Sequence, residues 1–170
     1  MPSFSGALAL MGLLGAAVLC LQTRGADAVA LDWPQWRGPL ANGFSPTANP
    51  PIRWSESQNV RWKIPLPGKG HASPILLRDA VILLAAVPVG DPQPPVFDQA
   101  PGVHDSVPVT HRHHYVVLAV SRKDGRVLWK TVVREEWPHE GGHSTGSPAS
   151  NYPVTDGTDV FALFGSRGLY

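Results

Sequence analysis

The sequence predicts an all-β chain, and three observations carry that expectation. Eighteen prolines and seventeen glycines make 35 of the 170 residues, a density of chain-turning residues that suits short strands and many turns better than helices. Asp124-Gly125 stands between the apolar runs Tyr115–Val120 and Val127–Val133. Asp-Gly between two β-branched runs is a strong hairpin signal, because glycine accepts the positive φ that a tight turn needs. Finally, Pro74–Leu84 aligns without a gap to Pro153–Leu163, an offset of 79 residues (153 − 74). Each copy has a Pro-led strand, a turn built on Asp or Gly, and a second apolar strand.

The 115–133 hairpin organises the rest. Tyr115, Val117 and Ala119 point to one face of the first strand, and Val116, Leu118 and Val120 to the other. Both faces are apolar, so the sheet that contains them is expected to be covered on both sides. Stacked blades of a β-propeller provide such cover.

Taken in order, the chain opens with an apolar run from Ala7 to Leu21, followed by Ala26-Asp27-Ala28. An apolar run ahead of an AxA pattern reads as a secretory signal, residues 1–28, cleaved after Ala28. No Lys or Arg precedes the run. The rival is an uncleaved anchor, although the run is short of the ~20 residues a spanning helix needs. Cys20, the sole cysteine, lies inside the run after Leu19, where a lipoprotein signal would place a small residue. Cleavage would leave a mature chain with no disulfide and no thiol nucleophile. A net charge of +1 with 16% charged residues gives no argument for a nucleic-acid or polyanion partner.

Residues 29–58 read as a Trp/Pro-rich strap: Trp33 and Trp36 are held among Pro34 and Pro39, with large apolar rings to bury. Carbohydrate stacking is the functional alternative for these rings, and packing against the rim of the domain is the plainer one. Asn59–Gly68 follows, and its Val60-Arg61-Trp62-Lys63 repeats the pattern of Val127-Leu128-Trp129-Lys130. The expected strands are 74–77, 80–87, 113–121 and 126–133, then a second unit from about 152. Pro88–Arg112 carries six prolines and no periodic apolar pattern, so it is expected to be an inserted loop, residues 88–112. Glu135–Asn151 is expected to be irregular, and Phe164–Tyr170 to turn into a third strand of the second unit.

Ala119, Gly125 and Trp129 resemble the repeat AxDxxTGxxxW of the PQQ-like (quinoprotein alcohol dehydrogenase-like) β-propellers. Ser121 stands at its Asp position and Asp124 at its Thr position. The opening WPQWRGP is similar to that of secreted members. The resemblance implies a partial propeller over residues 59–170, about one and a half four-stranded antiparallel blades, with Ala119, Gly125 and Trp129 as structural motif residues. It also implies that the Trp62 segment is the outermost strand of a closing blade. A closed propeller has four to eight blades, so the chain is expected to be a piece of a longer product with exposed apolar edges.

The function implied is an exported, periplasmic or extracellular, non-catalytic binding or scaffold module. Its partners would be proteins of the cell envelope, with no nucleic acid and no membrane span after cleavage. The alternative is the N-terminal part of a PQQ-dependent alcohol dehydrogenase, which would use PQQ and calcium. No catalytic, cofactor or metal residue is assigned, because neither an adjacent cysteine pair nor a local motif for the base is present.

Three other clusters carry chemical alternatives. His139-Glu140-Gly141-Gly142-His143 matches HExxH, whose zinc chemistry needs both histidines on one helix face. Pro138, the paired glycines and the following STGSP argue against a helix, so a solvated loop is the plainer reading. In His111-Arg112-His113-His114, His111 and His113 are expected to share a strand face while His114 turns away. With His104 nearby, two imidazoles and a distant third could hold a metal there, but no carboxylate lies at an obvious ligand spacing, and a polar strand entrance is the plainer reading. Ser73, Ser144, Ser147 and Ser150 occur without GxSxG, and no P-loop or GxGxxG is present.

Overall fold

The computed structural model describes residues 32–95 and 106–170. The proposed signal segment and Cys20 lie outside the described residues, as does the middle of the Pro-rich insert. The described residues are all-β, with eight strands and a single 3₁₀ turn at Gly165–Arg167.

Four strands form one antiparallel sheet: β1 (Ile75–Leu77), β2 (Ala80–Val89), β4 (Arg112–Ser121) and β5 (Val127–Glu136), side by side in that order. Between β2 and β4 the insert contributes β3 (Ser106–Val107), which pairs with β6 (Gly142–His143). A separate hairpin joins β7 (Val154–Thr155) to β8 (Val160–Phe161). The four expected strands are therefore present, and three of them run further than the sequence pattern suggests.

The additions have physical causes. β2 continues through Pro88, which pairs with His113. Ala86 exchanges both backbone hydrogen bonds with Lys69 on the β1 side, and alternate residues share that direction, so the Pro88 nitrogen turns to the same side beyond the last bridge. The missing N–H costs no ladder bond at such an edge. β5 runs on to Glu136 because β4 starts at Arg112 and supplies partners for the whole length. The expected loop 88–112 thus gives up both ends to strands and carries a third.

The echo at offset 79 is reproduced in register. Ile75 faces Ile82 and Leu76 faces Val81 in the first hairpin; Val154 faces Phe161 and Thr155 faces Val160 in the second. Past β8 the chain turns at Gly165–Arg167 and comes back, with Ala162 and Tyr170 exchanging backbone N–H···O bonds of 2.8 and 3.0 Å. That return makes an isolated antiparallel bridge, Leu163 to Leu169, and the expected third strand is not formed among the described residues.

Both faces of the large sheet are covered over β2 and β4, with the division the alternation predicts, while β5 is largely exposed. One face buries Tyr115, Val117 and Ala119 with Ile75, Ile82 and Leu84, under Ala149 of the preceding connection and Ala162 and Phe164 of the second unit. The Phe164 ring meets Tyr115 edge-on, with centroids 5.4 Å apart. The other face buries Val116, Leu118 and Val120 with Ala85, under Trp62 and Ile64. Each fully buried aliphatic or aromatic side chain of this kind contributes roughly 1.5–3 kcal/mol of transfer free energy.

The strap sits between the two hairpins. Trp33 exchanges two backbone bonds with Leu76, and Pro34 accepts one from Thr155, the residue at the equivalent place 79 positions on. The Trp33 ring lies against Gly38, where an added Cβ would come within 2.7 Å of it, and Trp36 stacks on Tyr152. The Trp33 ring thus packs within the strap, and the Trp36 ring reaches the second unit through Tyr152 while staying about half exposed.

Candidate functional site

Two constructions stand out from the framework: the docking of Trp62 on the β4–β5 turn, and a cavity beside the histidines.

The turn closes through Ser121 N–H to Arg126 O (2.8 Å) and Gly125 N–H to Ser121 O (2.9 Å), with Asp124 Oδ1 accepting from the Arg126 N–H at 3.1 Å. The bonds to Ser121 and Arg126 hold the Asp124 carboxyl below its ordinary range. Gly125 has φ +78° and is buried. The Trp62 indole lies over it, so that a Cβ at Gly125 would stand 2.9 Å from two ring carbons and 3.0 Å from Ile64 Cγ2. The indole N–H donates to Arg122 O at 3.0 Å. Glycine is thus required here twice, for backbone conformation and for room.

Of the three motif residues, Ala119 is fully buried opposite Trp129 in the ladder, and Gly125 receives Trp62. Trp129 behaves differently. It lies on β5, the outer strand, and stays 43% exposed, with Val127, Leu128 and Val132 exposed beside it. Among the described residues no buried core cluster includes Trp129. The Trp62 segment, for its part, forms no strand ladder; it covers a sheet face as an extended segment.

The cavity, of about 400 Å³, lies between the far ends of β2 and β4 and the β3–β6 ribbon. Its apolar wall includes Ala86, Pro88, Val107 and Val109. His111, His113 and His143 line it, together with the oppositely charged Lys69 and Glu140. His111 and His113 therefore share a face, as strand geometry predicts. His114 turns away and bonds Glu135 Oε2 at 2.9 Å, with Arg112 Nη2 3.3 Å from the other oxygen. These partners lower the Glu135 carboxyl pKa, the His114 bond foremost. Sequence reasoning missed Glu135 because it is a cross-strand neighbour, not a residue at a local ligand spacing.

Hydrogen bonds fix how the ring nitrogens are used. His113 Nδ1 is 3.1 Å from His111 O, and a carbonyl only accepts, so Nδ1 carries the proton and a neutral His113 presents Nε2 as an acceptor. His143 Nδ1 accepts the Thr145 backbone N–H at 3.2 Å, so a neutral His143 carries its proton on Nε2 and is a donor there. Burial pushes the His113 pKa down, partly offset by the His111 carbonyl bond.

The HExxH string does not bring its histidines together. His139 leaves toward the second unit, with Nδ1 2.9 Å from Ser166 Oγ and Nε2 2.7 Å from Arg167 Nη1. Arg167 was not singled out by sequence, where it looks like a solvated turn residue in GSRG. It is buried, pairs with Glu136 Oε1 at 3.0 Å and donates to Trp137 O. Its charge also lies near the buried Tyr115, whose phenol burial pushes up in pKa, an effect Arg167 partly offsets. These contacts tie the second unit to the end of β5. Ser147 and Ser150 close a local turn through Ser147 N–H to Ser150 Oγ (3.0 Å) and Ser150 Oγ–H to Ser147 O (2.8 Å). Among the described residues no group of three His, Cys, Asp or Glu side chains is placed to hold a metal ion.

Comparison with known protein families, curated proteins and solved structures finds no match to this chain. Nothing beyond its own residues therefore assigns its role. No helix among the described residues is long and apolar enough to cross a membrane.

Proposed function

We propose that this chain is part of an exported PQQ-like repeat protein that acts as a non-catalytic binding or scaffold module. The observation that carries the reading is the Trp62–Gly125 docking. A tryptophan in the pattern V-x-W-K closes over the glycine of a neighbouring four-stranded sheet and bonds a turn carbonyl with its indole N–H. Trp129 has the same local pattern and an open face. The chain therefore has one turn already docked by a tryptophan and one tryptophan still available, as a side-by-side array of sheets requires.

Further support comes from the second hairpin, which repeats the register of the first and covers its sheet. Rigid arrays of this kind present loops and edges to partners, and protein components of the cell envelope are the partners this reading assigns. The experiment has two arms. Export is tested by fractionating cells that express the chain and measuring the mass of the released form, which should begin after Ala28. Titration with PQQ and calcium, followed by dye-linked alcohol oxidation, tests the oxidoreductase alternative; saturable quinone binding with turnover would replace the scaffold reading.

A further inference from the structure

We propose that the cavity between the β2–β4 ends and the β3–β6 ribbon is a binding site for a neutral, ring-sized molecule carrying a hydrogen-bond donor and an acceptor. This does not depend on the scaffold reading, since it rests on the residues of the cavity alone.

Size and wall chemistry set the class. A volume of about 400 Å³ lies within the roughly 300–1,000 Å³ typical of small-molecule sites, which are mainly apolar with a few placed polar groups. Ala86, Val109 and Val107 supply the apolar surface. Lys69 and Glu140 are its two lining residues with a permanent charge, one of each sign, so the lining carries no net formal charge with the histidines neutral.

The histidines set the polarity pattern. His113 has its Nδ1 committed to His111 O, and His143 has its Nδ1 committed to Thr145. Each keeps Nε2 without a partner among the described residues, one as acceptor and the other as donor. Backbone-anchored imidazoles of this kind are pre-oriented, so a ligand need not order them. The ribbon that carries His143 is itself tightly set, because Gly141 has no Cβ and lets the Ser106 side chain and the Val107 carbonyl approach closely. A neutral ring with a hydroxyl or amide N–H gives a proton to His113 Nε2, and its carbonyl or hydroxyl oxygen takes one from His143 Nε2.

The test uses the full chain labelled with ¹⁵N-histidine and the probe 4-hydroxybenzamide, with toluene and benzoate as controls. Long-range proton–nitrogen spectra of the free protein should show His113 protonated on Nδ1 and His143 on Nε2. Adding 4-hydroxybenzamide at millimolar concentration should shift both Nε2 resonances saturably. His113→Phe and His143→Phe should each weaken binding about fivefold, the loss of one neutral hydrogen bond. The proposal is overturned if the probe leaves both Nε2 signals unmoved, if toluene or benzoate binds as well, or if folded variants bind unchanged. Should a variant not fold, the tautomers and shifts of the unaltered chain decide the matter by themselves.

Discussion

Gly125→Ala is the sharpest perturbation of the docking that the functional reading uses. Two costs combine at this position. Holding an alanine at φ +78° costs roughly 1–2 kcal/mol relative to glycine. The new methyl would stand 2.9 Å from the Trp62 ring and 3.0 Å from Ile64, an overpacking of the kind that costs about 1–3 kcal/mol. Together they predict a loss of about 3 kcal/mol. With a urea dependence of about 2 kcal/mol per molar, the unfolding midpoint should fall by about 1.5 M. Circular dichroism is the suitable signal, because six tryptophans would blur a fluorescence assignment. A double-mutant cycle with Trp62→Ala separates the two costs. In that background the clash with the indole is gone and only the Ile64 contact is left, so the penalty of Gly125→Ala should shrink toward the roughly 1–2 kcal/mol of the backbone conformation. An equal penalty with and without the Trp62 ring would refute the docking. A penalty near zero would refute the positive-φ turn itself.

Other expectations follow from the same contacts. Phe164→Ala should destabilise by about 3–5 kcal/mol in urea unfolding, because the ring is buried between the two units against Tyr115. Trp129→Ala should cost less than about 1 kcal/mol in the same assay, since its ring is nearly half exposed on an edge strand. Arg167→Lys should be destabilising by about 2 kcal/mol, as a lysine cannot reproduce a planar fork shared among Glu136, Trp137 O and His139; retention of full stability would show that these contacts do not join the units. For pH, the folded His113 pKa lies below its ordinary 6.5, so the unfolded chain binds the proton more readily. The His113 contribution should therefore be fully present above about pH 6.5 and be lost as pH falls from there toward the folded value. Comparing the pH dependence of the urea midpoint in the parent and in His113→Phe isolates it.

The open outer strand also bears on solution behaviour. β5 exposes Val127, Leu128, Trp129 and Val132 along an unpaired edge, the arrangement that templates association. Charges interrupt it at Lys130 and Arg134, and Arg134 is held by Glu136. Lys130→Val should lower the concentration at which the chain associates in sedimentation velocity, because it removes the charge at the centre of that edge.

The sequence by itself determined the two main hairpins, though not the β3–β6 ribbon or the full strand lengths, because period-two alternation, Asp-Gly and Pro-led runs are local signals that local sterics enforce. It also determined which side chains share a face, since β4 alternates without a break against β2, and the 79-residue echo carried the register of the second hairpin. Tertiary structure decided the rest. Whether Trp62 or Trp129 is covered depends on which surface meets it, and two nearly identical V-x-W-K strings cannot differ in that respect by themselves. The pairing of His114 with Glu135, the burial of Arg167, and the gathering of His111, His113 and His143 around one cavity all join residues distant along the chain. Spacing in sequence does not record such meetings; they exist only once the sheet and the β3–β6 ribbon have set the distances.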